Sequence, residues 1–159
     1  MRGILCGAIA ISVVLGTSPS VFAAACALTA SELQAKRATY DAACTAMMPP
    51  AGCTTASNHG QYVSCISHEA KADTTLPSSC HGAVVKCAAK STCGKSGFVT
   101  CCRTNSAGVT KCSTKSSGTA CTPPKLGTAC VGTHPSCCDA CTATGCSSSP
   151  SGAFLDGGF

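Results

Sequence analysis

Sixteen cysteines lie between Cys26 and Cys146, and they are the residues of this chain best equipped for chemistry. Thiols in such number either ligate soft metals or pair as disulfides, and spacing and compartment decide which. Cys138-x-x-Cys141 has ligand-pair spacing, and His59, His68, His81 and His134 could add nitrogen donors. A tetrahedral zinc site needs a second pair at matching spacing, and no Cys-His pair stands at finger spacing. Thr142, not His, follows Cys141, which excludes c-type haem attachment, and His68-Glu69 has Ala72 where an HExxH motif needs its second His. The expectation is sixteen half-cystines with no metal and no cofactor. They are Cys26, Cys44, Cys53, Cys65, Cys80, Cys87, Cys93, Cys101, Cys102, Cys112, Cys121, Cys130, Cys137, Cys138, Cys141 and Cys146.

Other catalytic chemistry has little material. The chain contains no GxSxG elbow and no phosphate-cradling glycine loop. Its six carboxylates are scattered, which leaves no acid–base pair readable from spacing. A noncatalytic protein is expected.

Two binding chemistries remain. From Thr75 to Cys146 the cations Lys86, Lys90, Lys95, Arg103, Lys111, Lys115 and Lys125 face a single acid, Asp139. Such a basic stretch suits an anionic polysaccharide or cell surface, and its one aromatic, Phe98, is too little to stack nucleic-acid bases. The alternative partner is a trypsin-like protease. Lys125 sits in a proline-stiffened segment, Cys121-Thr-Pro-Pro-Lys-Leu-Gly-Thr-Ala-Cys130, and a preorganised loop loses little entropy on binding. The cysteine order from Cys93 to Cys138 partly resembles that of hydrophobins. Cys130 breaks the pattern and the loops are Lys, Ser, Thr and Gly where large apolar loops would be needed, so no family is assigned.

The first twenty-five residues read as a secretory signal. Met1-Arg2-Gly3 is a short positive start, Ile4 to Leu15 is apolar, and Val21-Phe22-Ala23-Ala24-Ala25 has small residues at cleavage spacing. The apolar run is shorter than the roughly 20 residues a membrane span requires, so no stable membrane insertion is expected. Ala23-Ala24-Ala25-Cys26 also fits a lipoprotein site, but acylating Cys26 would leave an odd number of cysteines. The expected location is extracellular, or periplasmic in a Gram-negative host, where disulfides persist.

What must position these groups is a chain poor in core material. From Cys26 onward there are only fifteen Leu, Ile, Val and Phe residues, too few to offset chain entropy by burial alone. Covalent cross-links must supply much of the order. Three helices are predicted. The first runs from Ala30 to about Met47, opened by the capping box Thr29-x-x-Glu32 with a Leu28–Leu33 staple and closed by Pro49-Pro50. The second follows Asn58 and turns Tyr62, Cys65, Ile66 and Ala70 inward; the third follows Ser78 or Ser79 and stops at Cys93-Gly94. Phe98 to Thr104, a turn at Asn105 to Gly108, and Val109 to Ser113 predict a β-hairpin. Beyond Lys115 loops tied by bridges are expected.

The fold class is therefore a small disulfide-rich α+β protein, with short helices in the N-terminal half and a hairpin and loops in the C-terminal half. Its predicted organisation is a signal at 1–25, a helical module at 26–90, a basic cysteine-rich module at 91–146 and a flexible tail at 147–159. Six cysteines precede the boundary and ten follow it, so parity allows each module to close its own disulfides.

Overall fold

The computed structural model describes residues 25–147; the expected signal and nearly all of the expected tail lie outside them. Helix α1 (Ala30–Ala46) begins at the predicted capping box. The Thr29 hydroxyl accepts from the Glu32 amide at 3.3 Å and the Glu32 carboxylate accepts from the Thr29 amide at 2.7 Å, which satisfies two donors that a helix start otherwise leaves open. Helix α2 (His59–Ala72) is capped by Asn58, whose side chain accepts from the Gln61 amide at 2.9 Å. Helix α3 (Ser78–Ala89) stops short of the expected Cys93-Gly94. The chain turns away at Ser91, whose hydroxyl donates to the Ala88 carbonyl, and the Thr92 amide donates to Pro135. A distant strand-like contact, Ser91 against Ser136, thus ends a helix that local pattern would extend.

The three helices enclose the apolar core. Tyr40, Tyr62, Ile66, Leu76 and Val84 supply its bulk, with Leu28 and Leu33 packed on its edge as the staple predicts. Two bridges internal to this half, Cys26–Cys80 and Cys44–Cys65, run through it. Cys26, the candidate acylation site, is here bonded to Cys80 on α3.

Strands β1 (Val99–Thr104) and β2 (Thr110–Lys115) form the predicted hairpin. Asn105 closes the turn by accepting from the Ala107 and Val109 amides, and Gly108 supplies the left-handed residue at φ 74°. A third strand, β3 (Thr128–Val131), pairs antiparallel with the other edge of β1, giving the order β2-β1-β3 where only loops were expected. A short helix α4 (Cys137–Ala140) and a two-residue ladder, β4 (Cys141–Thr142) with β5 (Gly145–Cys146), complete the chain.

In this half cystine takes the place of aliphatic core. Cys102 on β1 lies opposite Cys112 on β2 and Cys130 on β3, so three half-cystines form a row across one face of the sheet. They bond to Cys141, Cys137 and Cys146 respectively, all from α4 and the β4–β5 ladder. On the opposite face Cys101 holds Cys121.

Two bridges cross the expected boundary. Cys53 pairs with Cys93 and Cys87 with Cys138, so the modules are not separately closed as cysteine parity had allowed. An ion pair joins the same halves: Arg37, buried on α1, donates to Asp139 on α4, and both side chains are largely withdrawn from water.

Removing one partner of such a buried pair strands the other's charge. Asp139→Ala should therefore cost about 3–5 kcal/mol in denaturant unfolding. The double replacement Arg37→Met with Asp139→Leu, which removes both charges together, should recover most of that loss.

Candidate functional site

The hairpin register gathers part of the predicted cation set. Arg103 on β1 stands directly opposite Lys111 on β2, and Lys115 lies four residues further along β2. Side chains alternate along a strand, so Arg103, Lys111, Ser113 and Lys115 share the sheet face opposite the cystine row. That face opens into a concavity of about 460 Å³, lined by these four residues with Asn105, Val109 and Pro124 among its walls. The far wall belongs to the segment after β2, pinned over the sheet by Cys101–Cys121. Close approach at its end requires Gly127, where a Cβ would meet the Thr104 carbonyl at 2.2 Å.

Its electrostatics are one-sided. The two ion pairs among the described residues are Lys36–Asp73 and Arg37–Asp139, so the cations of the concavity have no carboxylate partner there. Asp139, the one acid of the basic stretch, is spent on Arg37. The Nε of Arg103 is buried without a hydrogen-bond acceptor. Asn105 has its side-chain oxygen committed to the turn, which leaves its amide nitrogen as a donor.

The other four predicted cations do not join this cluster. Lys86 lies near the end of α3 and Lys90 is its C-cap, both exposed. Lys95 donates to the Ser91 carbonyl at 3.2 Å and sits 6.0 Å from the Phe98 ring, and burial holds its pKa below the usual lysine range. Lys125 is exposed at the tip of a turn closed by the Gly127 amide donating to Pro124, and Leu126 beside it has φ 55°. Cys121 and Cys130, which flank that segment, bond to Cys101 and Cys146 and not to each other.

The metal-ligand candidates are dispersed. Cys138 and Cys141 enter separate bridges. The sulfurs of Cys102, Cys112 and Cys141, and those of Cys102, Cys130 and Cys146, lie within 4.8 Å of one another because three disulfides are stacked beneath the sheet. His59 is a structural clamp, with Nδ1 2.8 Å from the Cys93 carbonyl oxygen and Nε2 3.1 Å from that of Ala89.

A second concavity, of about 450 Å³, lies where α1 meets the Pro135–Asp139 segment. It brings Arg37, Asp41, Tyr62 and Asp139 together, a cluster that scattered carboxylates had not announced. A signal was present: Leu33, Arg37, Tyr40 and Cys44 follow helical spacing, which puts Arg37 on the inward face of α1. The cluster is already satisfied within itself. Asp139 accepts from Arg37, Asp41 accepts from the Cys53 amide at 2.6 Å, and burial pushes the Tyr62 hydroxyl up to about 12. A phenol so shifted is neither base nor nucleophile at neutral pH.

Asp73 carries the clearest acid titration. Lys36, donating at 2.7 Å, then Thr75 and Tyr40, hold its carboxyl well below the usual carboxylate range. A carboxyl depressed on folding stabilises the native state above its unfolded pKa of about 3.9, and that stability is lost as pH falls. Asp73→Asn should accordingly lower Tm at pH 7 and make stability decline less steeply below about pH 4. Thermal melts of both proteins across pH 2–7 check this, and parallel acid limbs would contradict it. Bearing on function therefore falls to the geometry of the two concavities, since no family model, curated protein or solved structure matches the chain.

Proposed function

We infer that this chain is a secreted, noncatalytic protein that binds anionic surfaces or polysaccharides through the basic face of its sheet. One observation carries the reading: Arg103, Lys111 and Lys115 share a concave face on which no carboxylate neutralises them. Surface lysines are commonly interspersed with acids, and an unbalanced cluster raises local potential and draws anions. Eight disulfides suit an oxidising extracellular setting, as does the signal-like start of the sequence. No helix among the described residues is long and apolar enough to cross a membrane.

The protease reading fares less well. A protease cleft that adds its substrate as a strand needs extended backbone. Lys125 and Leu126 instead form the corner of a tight turn, with Leu126 at φ 55°.

Retention on a sulfated polysaccharide matrix tests the proposal. The oxidised protein should be retained at low salt and released as added salt screens the charges. The triple variant Arg103→Ala, Lys111→Ala, Lys115→Ala should elute at clearly lower salt, whereas Lys86→Ala with Lys90→Ala should shift elution little. Shifts from the two variants in proportion to the charges removed, three against two, would reduce the effect to net charge. Trypsin should remain active at stoichiometric ratio, and inhibition lost on Lys125→Ala would reinstate the protease reading.

A further inference from the structure

We propose that the concavity over β1 and β2 is a discrete binding site for a tetrahedral oxyanion, a phosphate or sulfate group, with room for the organic body that bears it. This rests on the reading of the basic face as an anion-binding surface and assigns that surface a specific pocket.

The argument begins with strand pairing. Like charges directly opposite on antiparallel strands destabilise a hairpin, because their Cβ atoms stand only about 5 Å apart. Arg103 and Lys111 are such a pair. A third cation, Lys115, lies on the same face, and neither ion pair of the described residues relieves any of the three. The native chain therefore carries an electrostatic cost that an anion in the concavity would remove.

The chemistry of the lining points the same way. Beside Arg103 the concavity is lined by Lys111, Ser113, Lys115 and Asn105, whose side-chain oxygen is already taken by the turn. Every one of these side chains can donate a hydrogen bond, so a ligand that fills the space is one that accepts.

Three cations lining one concavity favour a multiply charged anion over a single carboxylate, and the planar guanidinium fork of Arg103 suits an oxyanion with two accessible oxygens. The space, about 460 Å³, exceeds what an inorganic ion fills, and Val109 and Pro124 give it an apolar wall. No aromatic residue lines it, so a stacked base is not what the pocket is built for.

The test uses the oxidised protein and an amide NMR titration with sulfate and with inorganic phosphate at constant ionic strength, chloride being the control. Glucose 6-phosphate, glucose 6-sulfate and glucose then show whether the organic body adds affinity. The expected result is saturable shifts concentrated at Arg103, Asn105, Lys111, Ser113 and Lys115. A gain with the sugar esters would mark an esterified ligand, and equal binding of the free ions an inorganic one. Lys111→Glu separates binding from folding. It places a carboxylate opposite Arg103, so Tm should rise while affinity falls about tenfold or more. Shifts spread equally over Lys86, Lys90 and the sheet without saturation, or unchanged affinity in Lys111→Glu, would overturn the site. If matrix retention persists in that case, surface binding stands and the pocket falls. If the anions saturate the pocket but the matrix does not retain the protein, the pocket stands and surface binding falls.

Discussion

The disulfide Cys102–Cys141, at the centre of a row of three, is the constraint on which the C-terminal half depends. Cys102 occupies the middle strand with Cys112 and Cys130 across from it on either side. All three sulfurs leave the same face and hold α4 and the β4–β5 ladder against it. A three-stranded sheet ordinarily needs an apolar face to bury, and this one has threonines and cystines instead. Covalent bonds secure the lower face, and Cys101–Cys121 pins a single segment over the upper one. The upper face can therefore carry Arg103 directly opposite Lys111 with Lys115 further along β2, an arrangement that would weaken a hairpin held only by side-chain contacts.

The two halves meet through different kinds of bond that reinforce one another. Cys53–Cys93 ties the segment after α1 to the approach to β1, Cys87–Cys138 ties α3 to α4, and the Arg37–Asp139 pair joins α1 to α4. That ion pair also shapes the charge of the molecule. It holds the one acid of the basic stretch on α4, on the far side of the sheet from Arg103, Lys111 and Lys115. A helical core containing only Ile66, Leu76 and Val84 as large buried aliphatics could not supply that rigidity alone.

Local signals carried far into this fold, and long-range pairing was where they ended. Thr29 and Glu32, Asn58, and the Asn105–Gly108 turn each act within a few residues, so their elements were readable from spacing. Cysteine parity misled for a simple reason: two bridges that cross a boundary leave the count on each side even. The tetrapeptide Gly-Thr-Ala-Cys makes the limit plain. At Gly118–Ala120 it forms a 3-10 turn, whereas at Thr128–Val131 its last residues join a strand, because there the edge of β1 is available to pair. For the site, residue type announced seven cations, but register alone selects Arg103, Lys111 and Lys115 from among them. Arg37 was hidden differently, as a charge on the inward face of a helix whose partner lies 102 residues away.

Disulfide mapping of the native protein, by non-reducing digestion and tandem mass spectrometry at a pH that prevents exchange, tests this account most directly. The account predicts eight bridges and no free thiol, with Cys102 linked to Cys141, Cys112 to Cys137 and Cys130 to Cys146, and with Cys53–Cys93 and Cys87–Cys138 joining the halves. Free thiols among the three cysteines of the sheet row, or bridges confined to either side of Lys90, would contradict it.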